Sequence, residues 1–228
     1  MLYIILSVAF AVLVYAPSLW VRIIMHKHSR ILKDMPGTGG ELAEHLVQRF
    51  ELEPVRVERT TEFNDHYDPG AQVVRLSPNN YDGKSLTAVA VAAHEVGHAI
   101  QFQRKEQISR LRVKYIPLAM MLKKTGILLM ALVPIVGFVV KAPAAVIGVI
   151  VVSIVLQLLG ALAYLIVLPE EMDASFNKAM PILVQGNYVR QRDIPAVQRV
   201  LKAAALTYFA GALVDVINIG RWLSVLRR

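Results

Sequence analysis

Two histidines and a glutamate are spaced for metal chemistry in the stretch His94-Glu95-Val96-Gly97-His98. On a helix, residues four apart stand one turn above each other on the same face, so His94 and His98 can grip a single ion. Glu95 then lies where it can act on a water bound to that ion, which is the arrangement of a zinc hydrolase. The chain holds no cysteine, so thiolate ligands and disulfides are excluded and any metal must sit on histidine and carboxylate.

Two histidines do not complete such a site, because a catalytic zinc has three protein ligands and leaves its fourth position to water. The metzincin solution requires Gly at 101 and His at 104, whereas this chain has Gln101 and Arg104. What remains is a glutamate from a later helix. Glu171 is the first candidate and Glu170 its rival, the latter also readable as a juxtamembrane charge or a carboxylate near a helix N-terminus. Asp173 and Ser175 follow Glu171 within a turn and are placed to hydrogen-bond the ligands and fix their orientation. The expected chemistry is one Zn²⁺ per chain on His94, His98 and Glu171, with Glu95 activating the zinc-bound water and passing its proton to the leaving amine. His66 and Tyr67 are the candidates for a donor to the oxyanion.

The elements that position these residues follow from composition. Hydrophobic residues make up 55% of the 228, which favours a mainly α membrane protein, transmembrane helices plus a small α+β zincin-like domain. Residues 2 to 21 carry no charge and are long enough to cross a bilayer, so 1–21 reads as an uncleaved N-terminal anchor. Arg22, Lys27, Arg30 and Lys33 follow as a basic flank of the kind that stays in the cytoplasm.

Residues 22–116 read as a cytoplasmic domain. Thr38 is a candidate cap for a helix from Glu41 to Phe50, on which His45 is a surface or core histidine rather than a ligand. Val55 to Arg59 alternates apolar and charged residues as a half-buried strand does, and Gln72 to Ser77 reads as a second strand. Between them, Asn64 to Gly70 supplies turn chemistry. Ser85 caps the motif helix. In a zincin-like domain an edge strand lies beside that helix and pairs with extended substrate; residues 72–77 are the candidate.

Residues 117–168 supply two further spans, reversing at Lys141-Ala142-Pro143 and returning the chain to the side it left. Residues 169–202 then carry the third ligand and a basic segment on the same side as the motif. Residues 203–228 form a C-terminal apolar helix, either a fourth span or a surface-lying helix, in which Asp215 should face protein or water.

The net charge of +8 is concentrated late, with eight Lys/Arg and two Asp/Glu from Lys178 onward. No recognition motif accompanies it, so the partner it suits is an anionic lipid bilayer and not nucleic acid.

The stretches Ala93 to Gln101, Asn64 to Asp68 and Leu168 to Ser175 together resemble the YugP-type neutral zinc metallopeptidases of bacterial membranes, over essentially the whole chain. They are also similar to the wider gluzincin membrane proteases of the HtpX and CAAX-prenyl type, where two spans separate H-E-x-x-H from an E-x-x-x-D box. Matching that box implies Glu171 as ligand; Ser175 stands where that wider group has Asp. The resemblance implies a multi-pass inner- or plasma-membrane endopeptidase acting on protein or peptide substrates, with membrane-protein partners or a homo-oligomer as further expectations.

Two other classes bear weighing. A non-catalytic zinc-binding membrane scaffold or adaptor would have no need of Glu95. An intramembrane site-2-type protease would need its motif inside a span and an Asp-Gly motif in another, whereas this motif helix ends in the polar run Gln101 to Glu106.

Overall fold

The computed structural model describes residues 1–217, apart from some side chains near the two ends of that range. The chain is mostly helical with one small mixed sheet, and it divides into two compact units. One comprises residues 1–18, 111–168 and 208–228; the other comprises 19–110 and 169–207.

In chain order the elements of the second unit begin in helix α1 (Leu2–Lys27) and continue with α2 (Gly39–Arg49). Thr38 caps α2 as expected, and reciprocally: its Oγ1 accepts from the Glu41 amide at 3.1 Å while Glu41 Oε2 accepts from the Thr38 amide at 2.7 Å. Strands β1 (Arg56–Arg59), β2 (His66–Asp68) and β3 (Val73–Leu76) follow. The sheet order is β1-β3-β2, with β1 parallel and β2 antiparallel to β3.

Two expectations are corrected here. The strand at 72–77 is not an edge but the centre of the sheet, and Val73, Val74 and Leu76 are all fully buried. Such a near-continuous apolar run belongs to a strand covered on both faces, not to an alternating half-buried one. The edge beside the motif helix is instead β2, which residues rich in turn chemistry had disguised as a loop. Asp68 explains the disguise: it both ends the strand and makes the turn, its Oδ1 accepting from the Gly70 and Ala71 amides while Oδ2 accepts from Arg75 of β3 at 2.6 Å.

A short helix α3 (Pro78–Tyr81) leads to α4 (Leu86–Gln103), whose N-cap Ser85 accepts from the Ala88 amide at 3.1 Å. Every residue of α4 from Leu86 to Gln101 is buried. A helix buried all round is the core of its unit, and the run of alanines lets neighbours approach. Gly39 of α2 is one such contact, because a Cβ there would lie 2.8 Å from the Ala88 carbonyl oxygen.

In the first unit, α5 (Arg110–Val140) and α6 (Pro143–Met172) reverse at Lys141, which adopts a left-handed φ of 52°. The segments Gln107–Val140 and Pro143–Gln185 are the two among the described residues that are long and apolar enough to cross a membrane. Helix α5 is continuous through Lys123 and Lys124, so Ile116 to Leu122 and the uncharged run from Thr125 lie on one helix. Large apolar side chains face outward, among them Leu128, Ile135, Phe138 and Val151. In water such a surface would associate; in lipid it is solvated. Between α5 and α6 small residues bring the backbones together: a Cβ on Gly126 would meet the Ser153 carbonyl oxygen at 2.8 Å, and Ser153 Oγ donates to the Gly126 carbonyl.

Beyond α6 the chain continues without a break through a π-helical segment (Asp173–Ala179) into α7 (Met180–Gln185), and after a turn into α8 (Ile194–Ile217). The end of the basic segment, with Arg199 and Lys202, thus shares one helix with the described part of the C-terminal apolar run. The rest of the C-terminal element, residues 218–228, and the Asp215 side chain lie outside the described residues.

Candidate metal centre

Helix α4 carries His94, Glu95 and His98 into the middle of its unit, where they are 3%, 7% and 1% exposed. The two imidazoles stack edge to face with centroids 4.7 Å apart, as the i, i+4 spacing dictates. Both turn Nε2 towards one carboxylate oxygen. Glu171 Oε2 lies 3.2 Å from His98 Nε2 and 3.4 Å from His94 Nε2. Ligand atoms of these three residues all lie within 4.8 Å of one another.

The donor set fits zinc on three counts. Bonds of about 2.0–2.2 Å splayed at the tetrahedral angle put neighbouring ligand atoms roughly 3.3–3.5 Å apart, close to both histidine-to-carboxylate spacings. The second count is tautomeric. Ser175 Oγ lies 3.0 Å from the Leu201 carbonyl oxygen and 3.0 Å from His94 Nδ1. A carbonyl only accepts, so the single hydroxyl proton goes to Leu201 and the hydroxyl oxygen accepts from His94 Nδ1–H. Nε2 of His94 is then left with its lone pair aimed at a carboxylate, an arrangement that a bridging cation makes favourable. The third count is burial: Glu171 is 2% exposed and both histidines lie with it away from solvent, a setting in which a carboxylate and two imidazoles turned towards one another suit a metal ion.

The rival glutamate is placed differently. Glu170 Oε1 stands 3.8 Å from His98 Nδ1, behind the ring rather than at its Nε2. Both glutamates end α6, and the next seven residues form the π-helical segment, a rare wide coil that is frequent at functional sites. That segment packs on α4 at Gly97, where a Cβ would come within 2.8 Å of the Ala174 carbonyl oxygen and 3.3 Å of Lys178 Cβ. Gly97 is therefore a packing requirement: it brings the helix with the histidines against the one with the glutamate.

The comparisons with known proteins bear on this geometry. Residues 3–227 match the model of the family described as "Putative neutral zinc metallopeptidase". The chain belongs to that family. It is also 35% identical over 227 residues to a Bacillus subtilis (strain 168) protein named "Putative membrane protease YugP", covering 99% of this chain and 96% of that one. No solved structure matches it significantly.

For this member of the zinc metallopeptidase family, the remaining predicted residues fall into three groups. Ser175 touches a histidine directly. Asp173 does not; its Oδ2 accepts from the Gln101 amide at 2.8 Å, and Gln101 Oε1 in turn lies 3.0 Å from His98 Nδ1. Gln101, fully buried, is the residue to which sequence reasoning gave no part in the site. Its signal was available: it lies three residues after His98, on the same face of the same helix.

The two oxyanion candidates are held by other partners. Tyr67 is buried in β2 with its ring 5.7 Å from that of Phe102 on the last turn of α4, and burial followed by the charge of Asp68 holds its phenol above the usual range. His66 turns Nδ1 to the Asn64 carbonyl oxygen at 2.8 Å. His45 bonds to the Tyr188 hydroxyl at 2.7 Å, a contact between α2 and the loop after α7.

Proposed function

We propose that the chain is a membrane-embedded zinc-dependent endopeptidase that hydrolyses peptide bonds of protein substrates at the cytoplasmic membrane face. The observation that carries this reading is the convergence of His94 Nε2, His98 Nε2 and Glu171 Oε2 in a buried setting, beside a glutamate in the H-E-x-x-H position. Zinc held by these three residues would supply Lewis-acid polarisation and lower the pKa of water towards neutrality. Glu95 takes the proton of the attacking water and delivers it to the leaving amine. Ser175 keeps His94 in the tautomer that presents Nε2. The outer edge of β2, next to α4, offers unpaired backbone groups on which an extended peptide can add as a strand.

The membrane part of the reading is supported by the two candidate spans and their outward apolar side chains. The cytoplasmic part of the reading is supported by the basic flank Arg22 to Lys33 and the basic residues from Arg110 to Lys124.

The deciding experiment is the zinc content of the detergent-purified chain, wild type against Glu171→Ala. About one zinc per chain, lost or much weakened in the variant, is the expected outcome. Full zinc in Glu171→Ala would take the third ligand away from this residue, and none in the wild type after remetallation would refute the enzyme reading.

A further inference from the structure

The histidine pair is supported asymmetrically. Behind His94 stands a hydroxyl, whereas behind His98 stands a carboxamide, Gln101, whose oxygen is 3.0 Å from Nδ1. An amide can present either end, so what matters is what fixes it. The Gln101 nitrogen donates to the Glu170 carbonyl oxygen at 3.1 Å and to Asp173 Oδ2 at 2.8 Å. A backbone carbonyl and a carboxylate accept and do not donate, so a flipped amide would set an oxygen against two oxygens. Asp173 is itself clamped: Asn177 donates to its Oδ1 at 2.7 Å and Lys178 Nζ lies 3.1 Å from its Oδ2. Lys178 is shared with Glu106 at 3.0 Å, just past the end of α4. The π-helical segment thus supplies the three side chains that orient the amide of a residue on α4.

We propose that Gln101 is the positioning residue of His98. Its oxygen accepts from Nδ1–H, so that the neutral ring carries its lone pair on Nε2, facing Glu171. Asp173, Asn177 and Lys178 act through Gln101 by holding its amide in that sense. Two ligands therefore owe their tautomers to acceptors of different kinds, and the one behind His98 depends on a relay within the same segment that follows Glu171. This inference rests on the zinc reading, which has its own test at Glu171.

The test is zinc affinity of the full chain in detergent, by chelator competition, together with ¹⁵N spectra of the histidine rings in the zinc-loaded protein. Gln101→Leu, close in size and without an acceptor, should weaken zinc about 10- to 100-fold. Gln101→Glu should also weaken it, since a new carboxylate would oppose Asp173. The double variant Gln101→Glu/Asp173→Asn relieves the opposition at 173, with the new amide donating to the new carboxylate at 101 while the Glu170 carbonyl still faces an oxygen, and should recover part of the affinity and the Nδ1–H signal of His98. A packing role alone would not give that recovery. Wild-type affinity in Gln101→Leu, or a double variant as weak as Gln101→Glu alone, would overturn the proposal while leaving the ligand assignment intact. Zinc that binds equally to wild type and Glu171→Ala would instead overturn the ligand assignment.

Discussion

At the scale of single residues, the roles proposed for Glu95 and Ser175 are separable from each other: the first is exercised on water and the second through metal affinity. Glu95 is buried next to His94 on α4 but is not one of the three converging groups. Glu95→Gln preserves shape while removing the proton acceptor, so it should retain zinc and lose cleavage of a protein substrate by about 10²–10⁴-fold. Undiminished proteolysis would sink the mechanism. Ser175→Ala removes the acceptor that fixes His94 and leaves the Leu201 carbonyl without that donor. It should lower zinc affinity by roughly 10-fold or more, measured by chelator competition. Neither effect requires a change in fold, and far-UV circular dichroism of both variants should match the wild type.

At the scale of elements, two contacts decide whether the parts meet correctly. The first is α4 against the π-helical segment. Gly97→Ala gains roughly 1 kcal/mol of helix propensity. Against that stands the overlap with the Ala174 carbonyl oxygen, and overpacking of this kind costs about 1–3 kcal/mol. The net expectation is loss of thermal stability and weaker zinc binding, because α4 is pushed off the segment that follows Glu171. Gly148→Ala in α6, where a Cβ would find nothing within 4 Å, is the matched control and should be neutral or stabilising.

The second contact is the β2–β3 turn. The Ala71 amide bonded to the Asp68 carboxylate, and then the Arg75 guanidinium, hold that carboxyl below the usual carboxylate range. A lowered folded value means that its contribution to stability is present above the unfolded pKa of about 3.9 and lost as pH falls through the folded one. Asp68→Asn should accordingly lower the melting temperature at pH 6, and the gap to wild type should close below about pH 4. A gap that stayed constant across that range would remove Asp68 ionisation from the account.

At the scale of the whole molecule, the proposed topology makes a prediction that the composition renders easy to test. The chain has no cysteine, so single cysteines can be introduced without a background to remove. Lys141 lies at the reversal between the candidate spans and Lys105 at the end of the motif helix, and both are exposed. With an impermeant maleimide on intact cells, Lys141→Cys should label at once and Lys105→Cys only after lysis. The reverse pattern would move the site to the outer face.

What the sequence determined by itself was whatever depends on local spacing. The i, i+4 pair His94 and His98, the caps at Thr38 and Ser85, and the uncharged runs of α5 and α6 are all readable because a helix converts sequence distance into a fixed direction. Glu171 was reachable from pattern and resemblance, with Glu170 as a live rival. The tertiary structure places the two differently, because adjacent residues on a helix point about 100° apart: Glu171 lies at His98 Nε2 and Glu170 on the Nδ1 side. The strand order was hidden for a related reason: β2 is three residues long and flanked by turn-forming residues, and its pairing with β3 is a contact across sequence that no local period records. The same holds for Gln101 and Gly97. Their types are ordinary in a helix, and their meaning comes from what the segment seventy and more residues later sets against them: a carbonyl, a carboxylate and a backbone that needs the room.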